Sequence, residues 1–313
     1  MPWLIAAGAL IVFALVFSFI IFSMAFYNSK KKDVTHKVLT GPDYDPFHNE
    51  MLDLIDDALK IPYEEVYIKS YDGLTLYGRL YLRDKNAPFH IQFNGYKGNG
   101  IRDFSGGLRL ALSTGANVLL TDQRAHGKSG GHIISFGVKE RRDVLSWAEY
   151  VVEKYGNDTK IFLEGVSMGA ATVLMASDLD LPENVCGIVA DCPYSTPFGI
   201  VSKVADEILK IRYISYPFIF AGALLFGRFN IFSKTAVKSV RNTKVPILLI
   251  HGTTDSYVPF AMGQKIYEQN REMITLVPVE GAPHGLSYLK DTDLYTRSFK
   301  EFTVKCLSRR KNR

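Results

Sequence analysis

Cysteine is scarce in this chain. Among 313 residues there are three, Cys186, Cys192 and Cys306. The number is odd and no pair has metal-ligand spacing, so a disulfide framework and a cysteine-based metal centre are both excluded. Buried free thiols, suited to a reducing compartment, are the expectation. A surplus of either charge is also missing, since the formal net charge is only +5. No stretch interleaves basic and aromatic residues as a nucleic-acid face would, so no nucleic-acid partner is expected. Internal repeats and low-complexity segments are lacking as well. Charge is wholly absent in one place that matters: no charged side chain occurs from Pro2 to Tyr27.

That uncharged run is long enough to cross a bilayer, which needs about 20 apolar residues. A secretory leader would have a basic start and a shorter apolar core. Nothing basic precedes this run except the amino terminus. Ser23-Met24-Ala25 is compatible with a cleavage site, but a retained anchor fits the pattern better. Lys30, Lys31 and Lys32 follow the run, with Lys37 nearby, and Arg309-Arg310-Lys311-Asn312-Arg313 closes the chain. These basic ends suit an anionic bilayer. The positive residues after the span place the rest of the chain on the cytoplasmic side of a single-pass membrane protein.

What is present is a strand–turn–helix with a serine at its apex. In Ile161-Phe162-Leu163-Glu164-Gly165-Val166-Ser167-Met168-Gly169-Ala170-Ala171 an apolar run ends at Gly165, and small, helix-favouring residues follow Ser167 through Met175. Such a turn strains the serine backbone, and Gly165 and Gly169 let strand and helix pass closely. The helix N-terminus behind the serine offers unpaired N–H groups to an oxyanion.

The surrounding rhythm is strand, loop, helix. His48 to Leu59 carries an amphipathic helical pattern, and Val66–Ile68 and Leu74–Leu82 form an opening hairpin around Asp72-Gly73. Strands are expected at Phe89–Phe93, Asn117–Thr121, Ile161–Gly165, Gly187–Ala190, Pro246–Ile250 and Ile274–Val279. Helices are expected up to Leu112, over Lys139–Tyr155, after Ser167, over about Phe260–Asn270 and over about Leu294–Leu307. Apolar strands alternating with helices imply a mostly parallel sheet covered on both faces, an α/β fold. In such sheets functional residues collect at the carboxyl ends of the strands. Ser167, Asp255, His284 and the Asn94-Gly95-Tyr96 turn all fall there.

A serine hydroxyl needs a base, and the base an orienting acid. His284, in the Gly281-Ala282-Pro283-His284-Gly285 loop, is the candidate base, and Asp255 the candidate acid. Their order, Ser, Asp, His, is the one expected of an elbow nucleophile. Asp191 is a rival acid because it also ends a strand. His126 is a rival base, but its glycine-rich turn points to a structural role. His251 closes a strand. The backbone N–H groups of Met168 and Tyr96 are the candidate oxyanion donors. No metal and no organic cofactor is required.

With these residues in view, the chain resembles the α/β-hydrolase superfamily over roughly residues 62–307. The likeness rests on Gly165-Val166-Ser167-Met168-Gly169, Asp122-Gln123-Arg124-Ala125-His126-Gly127-Lys128-Ser129, His251-Gly252-Thr253-Thr254-Asp255-Ser256-Tyr257-Val258-Pro259 and Gly281-Ala282-Pro283-His284, in that family's order. It is most similar to bacterial membrane-anchored hydrolases of the serine-aminopeptidase-like (hydrolase 4) branch, and Asp191-Cys192-Pro193-Tyr194 is similar to that branch too. The resemblance implies an α/β-hydrolase fold with an eight-stranded sheet, a Ser-His-Asp triad and a helical cap between two late strands. Asn94-Gly95 departs from the His-Gly of many relatives.

The expected organisation is an anchor over 1–28, a linker with an amphipathic helix over 29–61, and a catalytic domain over 62–313 with its cap at about 194–243. Within the cap, Val201–Ile211 is an amphipathic helix, and Tyr213–Gly227 carries no charge. An apolar cap over a serine favours acyl or lipid-like substrates. The expected function is therefore a membrane-anchored serine hydrolase of hydrophobic carboxylic esters, carboxylesterase- or lipase-like. A serine peptidase, with Glu207 near the cap to read an amino terminus, is the second reading. A catalytically idle scaffold binding a lipid or partner is the third. The oligomeric state is not legible.

Overall fold

The computed structural model describes residues 2–29, 33–211 and 213–311. Lys30, Lys31 and Lys32, which carry the expected membrane orientation, lie outside the described residues, as do Asn312 and Arg313. The helices in chain order are α1 (Pro2–Ala25), α2 (His48–Leu59), α3 (Gly100–Ser113), α4 (Glu140–Tyr155), α5 (Met168–Ala176), α6 (Pro197–Leu209), α7 (Tyr216–Ala221), α8 (Ala236–Ser239), α9 (Phe260–Tyr267), α10 (Ser287–Lys290) and α11 (Thr292–Lys311). The strands are β1 (Glu64–Lys69), β2 (Thr75–Tyr81), β3 (Phe89–Phe93), β4 (Asn117–Asp122), β5 (Ile161–Val166), β6 (Val185–Asp191), β7 (Ile247–Gly252) and β8 (Ile274–Val279).

These strands form one eight-stranded sheet in the order β1-β2-β4-β3-β5-β6-β7-β8. The β1–β2 and β2–β4 pairs are antiparallel, and every pair from β4 to β8 is parallel. This is the α/β-hydrolase fold. The nucleophile strand β5 sits between β3 and β6, so the loops after β3, β5 and β6 emerge side by side at one edge.

Alternation along each strand divides the core between the two faces of the sheet. Ile161, Leu163, Ile188, Ala190, Ile247 and Leu249 face a cluster completed by helices that include α4, α5 and α6. Phe162, Val189, Leu248 and Ile250 face the other cluster, with Ile55 of α2, Leu108 of α3 and Phe299 of α11. Ile21, Phe22 and Phe26, from the end of α1 and just beyond, belong to the first cluster.

Local chemistry sets several boundaries. The Asn99 side chain caps α3 by accepting the Arg102 N–H at 2.8 Å. Thr196 caps α6 by accepting the Gly199 N–H, with Pro197 in the first turn. That cap starts α6 four residues before the expected Val201. The final helix likewise runs past the expected Leu307, to Lys311.

The α1 helix has 24 residues and is long and apolar enough to cross a membrane, a test a signal sequence also passes. Residues 2–17 contain no buried residue, whereas Ser18, Ile21 and Phe22 are buried against the domain. The expected cap segment Tyr213–Gly227 is divided in a way its composition does not show. Helix α7 and the π-helical turn Gly222–Phe226 lie on α1 rather than over the nucleophile, with Phe218 edge-on to Phe17 at 4.9 Å and Phe226 edge-on to Phe19 at 5.2 Å. At Gly222 an added Cβ would lie 2.8 Å from the Ser18 carbonyl oxygen, so the backbones meet closely. The element that covers Ser167 is α6.

Candidate active site

Ser167 adopts φ 54° and ψ −112° at the turn between β5 and α5. For a residue with a Cβ this is strained backbone, and the neighbours enforce it. A Cβ at Gly165 would lie 2.2 Å from the Gly169 carbonyl carbon, and one at Gly169 would lie 1.9 Å from the Phe93 carbonyl oxygen. The Ser167 N–H donates to the Asp191 carbonyl at 2.8 Å, which ties the elbow to the end of β6.

The three candidate catalytic side chains meet. The Ser167 hydroxyl is 2.9 Å from His284 Nε2, and His284 Nδ1 is 2.7 Å from Asp255 Oδ2. The tautomer that satisfies both contacts has Nδ1–H donating to the carboxylate and Nε2 accepting from the serine. Burial alone would raise the Asp255 carboxyl. Hydrogen bonds from His251 and His284, the charge of His284 when protonated, and the Val258 N–H at 2.7 Å hold it at about 2 instead. Asp255 is therefore an anion at any physiological pH, facing the imidazole Nδ1.

The rivals are placed elsewhere. Asp191 accepts from the Ser287 hydroxyl at 3.0 Å, and burial pushes its carboxyl up to about 6. The nearer carboxylate on His284 is Asp255. His126 is fully buried; its Nδ1 donates to the Arg124 carbonyl at 2.8 Å and its Nε2 accepts the Lys97 N–H at 2.9 Å. Burial pushes this imidazole below its ordinary value, consistent with a neutral ring that accepts at Nε2. His251 Nε2 donates to the Val258 carbonyl at 2.8 Å and lies 3.5 Å from Asp255 Oδ2, so it braces the acid's loop. Cys192, Asp255 and His284 bring three potential metal ligands within 4.8 Å. Asp255 and His284 are already engaged with each other there, and burial and neighbouring carboxylates push the Cys192 thiol well up, away from the thiolate a metal would need. All three cysteines are buried, and none forms a disulfide among the described residues.

The turn after β3 presents the Tyr96 N–H, and α5 begins at Met168. Among the described residues no protein acceptor takes either N–H. Contacts that the sequence did not reveal fasten this turn. Asp103 Oδ2 accepts the Gly95 N–H at 2.8 Å, and Asn94 Oδ1 accepts the Gln123 N–H at 2.9 Å. The Asn94 side-chain amide also donates to the Gly95 carbonyl at 2.8 Å. Asn94 thus secures the turn from within. Asp103 could have been suspected from its place in the first turn of the helix after the loop, but its partner could not.

Arg124 holds the neighbouring loop. It grips Asp143 at 2.6 and 2.7 Å and Asp72 at 2.8 and 3.0 Å, pinning the β4 loop to α4 and to the β1–β2 turn.

Two cavities meet at Ser167. The first, of about 370 Å³, lies toward α2 and α3 and includes Tyr44, Met51, Asp103, Glu164, Asp191 and His284 in its walls. The second, of about 290 Å³, lies under α6 and is almost wholly apolar; Met168, Tyr194, Val201 and Val204 line it, together with Ile21 and Met24 of α1. Tyr96 and Tyr257 belong to both. Glu207, the acid considered for an amino terminus, pairs with Lys203 at 2.6 Å and lines neither cavity.

Comparison with known proteins agrees with the fold. A sequence model of the alpha/beta hydrolase fold matches residues 98–212. The protein YqkD of Bacillus subtilis is 27% identical over 210 residues, covering 62% of this chain and 64% of that protein. Thiohydrolase aneE of Aspergillus aculeatus is 31% identical over 154 residues, covering 48% of this chain and 47% of that protein. The matched regions thus span about half to two thirds of these relatives' length. Among solved structures, an esterase of Pyrococcus furiosus superposes with a TM-score of 0.65 at 25% identity, over 80% of this chain and 93% of the esterase.

Proposed function

We propose that this chain, which belongs to the α/β-hydrolase superfamily, is a membrane-anchored serine hydrolase that cleaves carboxylic esters or thioesters of hydrophobic acyl groups. The observation that carries the reading is His284, bridging the Ser167 hydroxyl at 2.9 Å and the Asp255 carboxylate at 2.7 Å.

In this reading Ser167 Oγ attacks the acyl carbonyl carbon as its proton passes to His284 Nε2. Asp255 keeps Nδ1–H in place and stabilises the imidazolium. The Met168 and Tyr96 N–H groups receive the oxyanion. The tetrahedral intermediate collapses, the carbon–oxygen or carbon–sulfur bond breaks, and the leaving group takes the proton from Nε2. Water, deprotonated by the same imidazole, then attacks the acyl-enzyme and frees Ser167. His284 lines only the larger cavity, so the leaving group it protonates departs on that side. The acyl group is then directed to the apolar cavity under α6.

The P. furiosus neighbour is an esterase and the A. aculeatus relative a thiohydrolase, which supports acyl transfer to water. The pairing of Glu207 with Lys203, outside both cavities, favours esters over free-amino-terminus peptides. The pairing of α1 with α7 supports an anchor that stays attached.

The test is fluorophosphonate labelling of the detergent-solubilised full chain beside Ser167→Ala, followed by ester hydrolysis. Labelling that vanishes in the variant, with turnover falling by a factor on the order of 10⁵ or more, is the expected result. A folded wild type that does not label would make this chain an idle scaffold.

A further inference from the structure

The end of α1 is built into the active site. Phe26, just beyond the helix, is fully buried, and its carbonyl accepts the Ile134 N–H at 2.8 Å. Tyr27 bridges to Ile133, and the Asn28 N–H donates to the His132 carbonyl at 2.8 Å. The last carbonyls of a helix have no partner within it. Here they are taken by the turn that bears the candidate oxyanion donor: the Tyr96 hydroxyl donates to the Ala25 carbonyl at 2.8 Å, and Lys97 Nζ to the Met24 carbonyl at 2.9 Å. A tether needs none of these contacts. They hold Ile21, Met24 and Ala25 as one wall of the apolar cavity, facing Val204, Ala205 and Ile208 of α6 across it.

The dimensions of α1 set where this cavity opens. Residues 2–17, the part without buried residues, make roughly 24 Å of helix at ~1.5 Å per residue. The hydrocarbon core of a bilayer is about 30 Å thick. Extending the span into the turns packed on the domain draws the cavity's rim toward lipid. That rim is apolar and open: Met24 is 51% exposed and Ile208 60%. The segments around it present Tyr213, Ile214, Leu224 and Leu225 to the outside, as a face resting in lipid would.

We propose that α1 is a specificity-determining wall of the acyl site, and that the substrate is an amphiphile whose long acyl chain enters from the bilayer between Met24 and Ile208. This rests on the reading of Ser167 as the acylated nucleophile. The anchor then does two things at once, holding the enzyme at the surface and completing the pocket that receives the chain.

The test uses the full chain in phosphatidylcholine vesicles, with p-nitrophenyl butyrate and p-nitrophenyl laurate as substrates. The readout is the laurate-to-butyrate ratio of kcat/KM. Met24→Trp and Ile208→Trp narrow the rim from opposite helices. Displacing about two methylenes of bound chain lowers the ratio roughly tenfold in each. Ile11→Trp, on the same helix but away from the cavity, keeps the wild-type ratio. Fluorophosphonate labelling of Ser167 in each variant reports an intact site, and the two rim variants on different helices keep the test decisive if one misfolds. An unchanged ratio in labelled rim variants, or an equal fall in Ile11→Trp, overturns the inference while leaving the hydrolase intact. Absence of both turnover and labelling in the wild type overturns the proposed function, and this inference with it.

Discussion

Ser167 faces two cavities that differ as the two faces of the sheet differ. The larger lies on the α2 and α3 side and holds the ionisable groups Asp103, Glu164 and Asp191 beside His284. The smaller, under α6, has one charged residue in its walls, Lys97, and that ammonium is spent on the Met24 carbonyl. A polar leaving group and its proton suit the first environment, and a hydrocarbon chain suits the second. In the proposed reading, a molecule with one polar and one apolar end is cut at the serine where the two cavities join. Shape alone would not assign the two ends, because both cavities reach Ser167 and share Tyr96 and Tyr257. In the proposed reading the position of His284 assigns them.

The largest expected effect concerns what the two cavities share. Asp255→Asn keeps the size of the side chain but loses the anion that fixes His284. The rate should fall by ~10⁴ for every ester, whatever its acyl chain or alcohol. A loss confined to bulky alcohols or to long chains would mean that Asp255 shapes one cavity rather than serving the chemistry at their junction.

The next effect separates the cavities by their response to pH. The Asp191 carboxyl is raised to about 6 in the fold, above the ordinary aspartate value of about 3.9. The folded state therefore holds this proton more tightly than the unfolded chain. The benefit is complete below about pH 4 and is lost as pH rises through about 6. That loss amounts to on the order of 2–3 kcal/mol. Asp191→Asn, still able to accept from Ser287 through its amide oxygen, should lack this slope. Unfolding by urea at pH 4 and pH 7.5 should show wild type losing ground to the variant at the higher pH. Parallel curves would mean that the carboxyl is not held up. An equivalent substitution in the α6 cavity has no counterpart, since no acid lines it.

A smaller effect tests the division of the substrate. Met51→Trp fills part of the larger cavity from α2. Esters of bulky alcohols should lose roughly tenfold in kcat/KM relative to methyl esters, with acyl chain-length preference unchanged. Rim variants of the apolar cavity should do the reverse. If Met51→Trp changes chain-length preference instead, the assignment of leaving group and acyl chain is inverted.

Much of this arrangement was legible before any coordinates, and the reason is local. Gly165 is required by contacts within a few residues of Ser167, and Gly169 by the neighbouring strand end at Phe93, yet both glycines flank the serine in one stretch. Helix α2 has the very bounds that its apolar spacing predicts, His48 to Leu59. The three candidate side chains were legible because topology gathers strand ends at one edge, and they meet there. What was not legible depends on which apolar surface meets which. An uncharged Tyr213–Gly227 states that the segment avoids water, but lipid, core and another helix are equivalent partners by composition. The structure gives it α1. The same holds for α1, whose first turns and last turns are equally apolar, though only the latter wall a cavity. Long-range polar pairs such as Asn94 with the Gln123 N–H, or His126 with the Lys97 N–H, leave no spacing signature because their separations are set by the whole fold.

The smallest expected effect bears on Tyr96, which lines both cavities and holds the end of α1. Tyr96 is expected to act on the oxyanion through its backbone N–H, which any side chain leaves in place. Its hydroxyl is occupied elsewhere, donating to the Ala25 carbonyl, while its ring stacks on Phe136 at 5.1 Å. Tyr96→Phe deletes the hydroxyl's bond to the Ala25 carbonyl, and its longer contact with the Met24 carbonyl, and keeps the ring. That bond contributes about 1 kcal/mol, so hydrolysis of short and long esters alike should fall by less than about tenfold. Lys97 still holds the Met24 carbonyl, so the helix end stays seated and chain-length preference should persist. A fall as deep as that of Asp255→Asn would transfer the oxyanion role from the backbone to the phenol. A selective loss on long chains would instead mean that this single hydroxyl sets the position of the α1 wall, which would make the anchor's attachment to the turn, rather than its side chains, the determinant of what the apolar cavity accepts.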